Sequence, residues 1–261
     1  MAVLTRALRV AEGELLAYKR SWRGTVISSF VNPIFFLSAM GMGIGSLVDQ
    51  GDADLGVPYL VFVATGLMAA NAMQAGASEG AFPVMAGLKW RKEYHAIITT
   101  PVSATEMLVG RSIWGAARLA FILSVFTVIA SLLGALELGT ALMAIPPAVL
   151  TGLAFTLAMT AFTVNTESDM GLTTVFRFVI MPLFLFSGTF FPISNLPQTF
   201  QYVAYATPLF HGVELVRKIA LPDPGEVVTG IPLWTHALYL VVMAAIAFRI
   251  AVKGLDRRLR P

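Results

Sequence analysis

The sequence contains no cysteine, and only 13% of its 261 residues are charged, against roughly 25% in soluble domains. The absence of cysteine excludes disulfide bonds, thiolate metal sites and thiol nucleophiles. With 57% hydrophobic residues and a mean hydropathy of +0.76, the shortage of charge excludes an ordinary soluble domain. The basic residues lie beside apolar stretches and form no cluster of their own, so the net charge of +3 does not indicate nucleic-acid binding.

Two motifs of enzyme sites are also missing. The sequence has no G-x-x-x-x-G-K-[ST] phosphate loop, so ATP binding would have to come from another polypeptide. It has no H-E-x-x-H pair, which excludes the corresponding class of zinc protease.

Long hydrophobic runs dominate what is present. A helix that crosses a membrane needs about 20 mainly apolar residues, and six stretches meet this requirement. We therefore predict an all-α integral membrane protein with six transmembrane helices. Pro146 and Pro147 predict an irregular start for the fourth of them. The predicted spans cover about residues 26–48, 58–78, 112–134, 140–164, 170–189 and 232–252.

Lysine and arginine are concentrated in alternate connections, which predicts the orientation in the membrane. They precede the first span, lie between the second and third, and follow the sixth, while the other connections are acidic or neutral except for Arg217 and Lys218. Both termini and the connection between spans 2 and 3 are therefore predicted to be cytoplasmic. The acidic residues on the other side are Asp49, Asp52, Asp54, Glu137, Asp223 and Glu226.

Residues 1–25 form an amphipathic unit before the six-span domain of residues 26–261. A helix of this kind lies in the plane of the lipid headgroups and does not cross the membrane. Two roles stay open for it: an anchor that orients the protein, or a lever that moves with the spans. Its apolar face comprises Leu4, Leu8, Ala11, Leu15, Tyr18 and Trp22, and Arg6, Arg9, Glu14 and Arg20 lie off that face.

One long polar segment, residues 79–111, separates spans 2 and 3. Pro101 disfavours helical backbone at the residue before it, so one helix is predicted to end there. Ser103 and Glu106 fit a capping box, which starts the helix that leads into span 3. The piece at about residues 88–99 is then a short separate helix, which needs either the bilayer surface or a docked protein. Its apolar side carries Trp90, Tyr94, Ile97 and Ile98, and its charged side carries Lys89, Arg91, Lys92 and Glu93.

An aromatic segment at about residues 190–220 lies between spans 5 and 6. It is too apolar for a solvated loop and too interrupted by proline for a full span, so we predict a re-entrant helical hairpin that dips into the outer leaflet. Its polar residues recur every three positions along one helix face. Two interpretations stay open: an aromatic belt with a polar stripe, or an exit gate that contacts an amphiphilic substrate. The candidate residues are Phe190, Phe191, Phe200, Tyr202, Tyr205, His211 and Glu214, with Arg217 next on the same face.

Two arginines, Arg118 in span 3 and Arg177 in span 5, lie at membrane depth. Charges at this depth are candidates for functional sites. Both lie near the cytoplasmic end, where snorkelling also accommodates them, so the two interpretations stay open. Glu79, Glu167 and Asp169 are the candidate partners.

The polar and outer segments together resemble the permease subunits of ABC-2-type exporters, and the resemblance covers nearly the whole chain. The outer segment is similar to the branch of lipo-oligosaccharide (nodulation-factor) and daunorubicin-resistance transporters. Many relatives carry Arg-Gly-Thr-x-Glu in the short helix, where this chain departs with Tyr94-His95-Ala96-Ile97-Ile98. The matching residues are Glu93, Thr100-Pro101-Val102-Ser103 and Glu106-Met107-Leu108-Val109-Gly110-Arg111, then Phe186-Ser187-Gly188-Thr189-Phe190-Phe191-Pro192, Leu196-Pro197 and Pro208-Leu209-Phe210-His211-Gly212-Val213-Glu214-Leu215-Val216-Arg217.

The resemblance implies that the short cytoplasmic helix is a coupling helix that docks into a separate ATPase subunit. ATP and Mg²⁺ would be bound by that partner, and this chain would bind no cofactor, metal or nucleic acid. Two copies would pair as a homodimer above two ATPases in the bacterial plasma (inner) membrane. They would export an amphipathic substrate such as a glycolipid, lipo-oligosaccharide, polysaccharide or lipophilic drug. The residues assigned to coupling are Lys89, Trp90, Arg91, Lys92, Glu93, Tyr94, His95, Thr100, Pro101, Ser103 and Glu106.

Two other classes of protein were weighed against this resemblance. An integral-membrane enzyme that modifies lipids needs Asp, His or Ser residues that converge at one depth, and the sequence shows no such set. An ion-coupled secondary transporter favours ionisable residues at mid-span and an inverted repeat, and neither is evident.

Overall fold

A computed structural model describes residues 2–20, 22–48, 56–221 and 227–259. Within these ranges the regular structure is entirely helical, and six helices are long and apolar enough to cross a membrane, as predicted. The loop acids Asp49, Asp52, Asp54, Asp223 and Glu226 lie outside the described residues. The spans are span 1 (Trp22–Gly45), span 2 (Tyr59–Trp90), span 3 (Ala104–Leu132), span 4 (Leu138–Asn165), span 5 (Asp169–Phe186) and span 6 (Leu233–Leu259).

Four of the spans are irregular, and each of these contains proline. Proline has no amide hydrogen to donate, and its ring clashes with the preceding turn. In span 4 the break comes just before Pro146 and Pro147, which lie in the first turn of the main helix, where the missing donors cost no helical bond. Span 1 consists of Trp22–Ser38 and π-helical Ala39–Gly45, followed by Ser46–Val48, and span 2 consists of Tyr59–Met85 and π-helical Ala86–Trp90. Span 4 consists of Leu138–Met143 and Ile145–Asn165. Span 5 consists of Asp169–Val175, π-helical Phe176–Ile180 and Met181–Phe186.

Spans 2 and 4 form the centre of the bundle. Gly76 and Gly80 of span 2 lie directly against the backbone of Gly152 and Thr156 in span 4. Glycine has no side chain to keep the two backbones apart. Since lipid tails are as apolar as the helix surfaces, this close packing is what holds the two spans together.

The amino-terminal helix (Ala2–Tyr18) packs along span 3. Its Ala7 is buried, and the carbonyl of Ala7 lies against Gly110 of span 3. Leu4 and Leu8 are exposed on the other side, as an amphipathic helix requires. Its position in the headgroup plane stays a prediction.

The cytoplasmic helix (Glu93–Ile97) is shorter than the predicted residues 88–99. Span 2 continues as a π-helix through Trp90, so Lys89 and Trp90 belong to span 2 and not to a separate helix. The break comes at Lys92, whose φ of 54° lies in the left-handed region that a continuing helix excludes.

The predicted capping box is confirmed at the start of span 3. The Ser103 hydroxyl accepts a hydrogen bond from the Glu106 amide at 3.2 Å, and the Glu106 carboxylate accepts one from the Ser103 amide at 2.7 Å. Pro101 lies in the turn between the cytoplasmic helix and span 3, so the predicted break is also confirmed.

Two helices follow span 5 on the way to span 6, in the segment where a re-entrant helical hairpin is predicted. Outer helix A runs from Gln198 to Tyr205, after a 3-10 turn at Ile193–Asn195, and outer helix B is Pro208–Ala220. Outer helix B is mostly buried against spans 2, 4 and 6. How far this hairpin enters the bilayer stays a prediction.

Candidate functional site

Four charged side chains meet where the amino-terminal helix joins spans 2 and 3, and we call them the charge cluster: Glu14, Glu79, Arg111 and Arg118. Arg118 forms an ion pair with Glu79, which confirms the predicted partner. Arg111 pairs with Glu14, and its Nη2 lies 3.7 Å from Glu79 Oε1. Two carboxylates thus balance two guanidinium groups, and Glu79 and Arg111 are buried.

Sequence reasoning missed the pair between Glu14 and Arg111. The position of Glu14 off the apolar face of the amino-terminal helix indicated that it needs a polar partner. It did not indicate which partner, because Arg111 is 97 positions away in the chain. Burial raises the pKa of the Glu14 carboxyl group, and the positive charge of Arg111 opposes this rise.

Tyr94 connects the cytoplasmic helix to this cluster. Its ring lies directly against Gly87 of span 2, and the guanidinium carbon of Arg111 lies 5.4 Å from the ring centroid, within cation–π range. Burial raises the pKa of the Tyr94 hydroxyl, so the group stays neutral. The sequence placed Tyr94 on the apolar side of the helix and among the residues assigned to coupling; only 2% of the residue is exposed, so its side chain faces the spans.

The outward face of the cytoplasmic helix is formed by other residues. Arg91 Nε and Glu93 Oε1 lie 3.2 Å apart in an exposed ion pair beside it. Charges of both signs therefore surround a small apolar centre at Ala96 on the exposed side of this helix. The exposed residues of this docking surface are Arg91, Lys92, Glu93, His95, Ala96, Thr99, Thr100 and Pro101.

Lys89 and Trp90 tie the end of span 2 to the start of span 5. Lys89 Nζ donates to the Glu167 carbonyl at 2.8 Å, and Trp90 Nε1 donates to Asp169 Oδ2 at 3.2 Å. Asp169 is therefore the partner of these residues and not of an intramembrane arginine, contrary to the sequence-based expectation. Arg177 is exposed on span 5.

Ser103 and Glu106 also bind inward and do not face the solution. Besides its capping bonds, the Glu106 carboxylate lies 3.4 Å from Arg6 Nη1 of the amino-terminal helix. Two ion pairs thus join the amino-terminal helix to the first turns of span 3, one through Glu106 and one through Arg111.

The outer hairpin carries a second polar group, centred on Arg217. Its guanidinium donates to the Gly188 carbonyl at 2.8 Å and the Phe62 carbonyl at 3.2 Å, and Nε donates to Thr65 Oγ1 at 3.3 Å. The same guanidinium lies 3.8 Å from the Phe62 ring centroid. Arg217 therefore fastens outer helix B to span 2 and to the backbone after span 5.

His211 and Glu214 complete this outer group. Glu214 Oε2 accepts hydrogen bonds from the amide and the hydroxyl of Thr229, at 2.8 and 2.6 Å. His211 Nδ1 lies 2.9 Å from Nδ1 of His236, and Lys218 Nζ lies 3.6 Å from Glu214. His211 and Glu214 are buried, so they face neither lipid nor the outer solution in this structure. The roles of Thr229, Lys218 and His236 were not foreseen.

The aromatic residues of the outer segment divide into two groups. Phe190 packs edge-on against Phe184 at 5.0 Å between ring centroids, and Tyr205 packs in the same way against Phe210 at 5.1 Å. Phe191 is half-buried. Phe200 and Tyr202 are exposed, so they are the aromatic residues of this set most open to lipid or substrate. Both interpretations of the outer segment, an exit gate for the substrate and an aromatic belt, stay predictions.

Among the described residues, no group of three or more His, Asp or Glu side chains is placed to hold a metal ion. Six helices long and apolar enough to cross a membrane define a multi-pass membrane protein. Residues 7–221 match the sequence model of a family described as "ABC-2 type transporter", and the chain belongs to that family. It is the transmembrane subunit of an ABC exporter, a class different from the integral-membrane enzyme and the ion-coupled secondary transporter.

Relatives along nearly the whole chain support this assignment. The chain is 32% identical over 249 residues to "Nodulation protein J" of Rhizobium meliloti (strain 1021), which covers 94% of this chain and 91% of that protein. The protein of the same name from Sinorhizobium fredii is 29% identical, over 94% of this chain and 90% of its own length. The one from Rhizobium leguminosarum bv. viciae is 28% identical, over 97% of this chain and 94% of its own length.

Proposed function

We propose that this chain is the permease of an ATP-driven exporter that moves an amphipathic glycolipid or lipo-oligosaccharide out of the cell. A separate ATPase subunit binds ATP and Mg²⁺ and docks at the surface around the cytoplasmic helix. The resemblance to the lipo-oligosaccharide branch and relatives named for nodulation support this substrate class over a lipophilic drug. The bacterial inner membrane, with both termini in the cytoplasm, is the location that fits the distribution of basic residues.

The observation that carries the proposal is the unbroken set of contacts from the docking surface to the spans. An ATPase that pushes the cytoplasmic helix moves the Tyr94 ring against Gly87 of span 2 and Arg111 of span 3. Arg111 transmits this to Glu14 and Glu79. Because buried cores rearrange between discrete states and do not deform continuously, a small push at this point shifts whole helices.

The same proposal includes a second copy of the chain. Six spans make half of a translocation pathway, and two permeases with two ATPases complete it. Spans 1 and 5 expose large apolar side chains, among them Phe35, Phe178 and Met181, and these spans are the least buried of the six. Such faces suit either lipid or a homodimer contact.

Substitution of Ala96 by arginine is expected to prevent docking of the ATPase. Ala96 is exposed on the cytoplasmic helix, so the larger charged side chain is accepted by the permease but clashes with a partner seated there. We expect at least a tenfold weaker association, or about 1.4 kcal/mol. Co-purification of the ATPase from native membranes and binding of the purified subunits measure this.

The matched controls are Ala96→Ser, which adds little volume, and Asp256→Arg, which adds the same side chain at an exposed position near the cytoplasmic end of span 6. Both should bind the ATPase as the wild type does. Normal association and export by the Ala96→Arg variant would refute docking at this surface, and failure to co-purify any ATPase with the wild type would refute the exporter proposal itself.

A further inference from the structure

A polar cavity of about 250 Å³ lies between spans 1, 2 and 3, away from the docking surface. Its wall on span 2 presents Asn71, Gln74, Ser78 and Glu79, which helical spacing places on one face. The facing wall on span 3 supplies Arg118, and span 1 closes the side. The remaining lining residues are Ser29, Pro33, Ala75, Gly115, Leu119, Ile122 and Phe126.

The cavity lies at membrane depth, between the spanning helices 1, 2 and 3. At about 1.5 Å per residue, Asn71 is roughly 28 Å and Glu79 roughly 16 Å from the cytoplasmic end of span 2 at Trp90. Polar side chains at such depth are costly and mark substrate or ion pathways.

Some of the polar groups that line the cavity have no hydrogen-bond partner in the described part of the chain. The side-chain amides of Asn71 and Gln74 form no hydrogen bond to another residue that the structure describes. The Nε group of Arg118 is buried and, within the same described ranges, also has no hydrogen-bond partner. A buried polar group without a partner costs free energy, so the Nε group of Arg118 calls for a ligand or water, while the half-buried amides of Asn71 and Gln74 can bond to whatever enters the cavity.

The chemistry of these groups selects a polyhydroxylated ligand. Each amide offers two donors and an acceptor, and the guanidinium offers donors only. Neighbouring hydroxyl groups of a sugar both donate and accept, so they match this set, whereas an alkyl chain would leave every group unpaired. The apolar residues Leu119, Ile122 and Phe126 face the same space and suit the C–H side of a sugar ring.

We propose that this cavity binds one sugar ring in the headgroup of a glycolipid while its acyl chain stays in the lipid. The inference rests on the proposed function for the class of substrate. It adds a way in which substrate binding and ATPase docking are coupled, because the Arg118–Glu79 ion pair belongs both to the cavity wall and to the charge cluster. A bound sugar therefore touches the same pair that the cytoplasmic helix moves.

The test uses the purified full-length permease in lipid nanodiscs, without the ATPase. The probe is a fluorescent dodecyl glucoside, compared with fluorescent dodecanol. Gln74→Leu and Asn71→Leu remove hydrogen bonds at similar volume, so we expect glycoside binding to weaken about tenfold with unchanged dodecanol binding. Ala75→Leu fills the cavity without removing a polar group and should weaken glycoside binding as well. Ala117→Leu adds the same volume on an exposed face of span 3 and should change neither.

Size-exclusion profiles and thermal midpoints show which variants remain folded, and Ala75→Leu provides an independent answer if an amide variant does not fold. Wild-type glycoside affinity in folded Ala75→Leu or Gln74→Leu protein would overturn the proposal, as would equal loss of glycoside and dodecanol binding.

The sugar-site proposal and the exporter proposal can fail independently of each other. If the glycoside binds at the cavity but no ATPase associates, the exporter proposal is wrong and the sugar site stands. If the complex exports a glycolipid but the cavity variants bind normally, the sugar site is wrong and the exporter stands.

Discussion

Replacement of Glu79 by glutamine is expected to destabilise the permease by about 3–5 kcal/mol, the cost of removing one partner from a buried ion pair. Glu79 is the only carboxylate that contacts both Arg111 and Arg118 among the described residues, and only 7% of its side chain is exposed. Loss of its charge leaves two guanidinium groups balanced by Glu14 alone. The variant should also lose export, since Arg111, which contacts the cytoplasmic helix through Tyr94, then has no ion pair with span 2. Denaturant unfolding in detergent and export in reconstituted vesicles measure the two effects.

Charge balance predicts a rescue. In the double variant Glu79→Gln/Arg118→Met, the remaining Arg111–Glu14 pair is neutral overall, so most of the lost stability should return. Glu12→Gln is the matched control, because its ion pair with Arg9 is exposed and such pairs contribute only about 0–1 kcal/mol. Equal unfolding of Glu79→Gln and Glu12→Gln would show that the charge cluster does not hold the helices together.

Substitution of Gly76 by alanine is expected to cost about 3 kcal/mol, at the upper end of what overpacking usually costs. A β-carbon at this position would overlap the carbonyl oxygen of Gly152, and backbone atoms cannot rotate away as a side chain can. Spans 2 and 4 would have to separate along their whole contact. The thermal midpoint of the purified protein and its yield in the membrane fraction should both fall.

Gly139→Ala provides the control, since a β-carbon there meets nothing within 4 Å. Alanine is favoured over glycine in a helix by about 1 kcal/mol, so this variant should be at least as stable as the wild type. A Gly76→Ala protein as stable as Gly139→Ala would contradict the close contact between spans 2 and 4.

The sequence predicted features that depend on a few neighbouring residues. Six apolar stretches of sufficient length predicted six spans, and the structure confirms them. Pro101, Ser103 and Glu106 predicted a helix break and a capping box, and both are present. These features follow from local chemistry, namely the free energy of apolar residues in lipid, the fixed geometry of proline and the short reach of a serine side chain.

The direction in which a side chain faces could not be predicted in the same way. In a membrane protein the surfaces that face lipid and those that face other helices are both apolar, so hydrophobic periodicity does not tell inside from outside. Tyr94 was assigned to coupling and is buried, and His211 and Glu214 were assigned to an outer stripe and are buried as well. A tyrosine or a histidine fits either environment when a partner is near.

The sequence by itself therefore determined the class of this protein: a six-span, all-helical exporter subunit without its own phosphate loop, because hydrophobicity and motifs are properties of the chain alone. Only the tertiary structure decided how the docking surface connects to the spans. That connection depends on Glu14, Glu79 and Arg111, which approach one another from different helices. Contacts of this kind are fixed by the packing of whole helices, since residues 97 positions apart carry no mark of their pairing in the sequence.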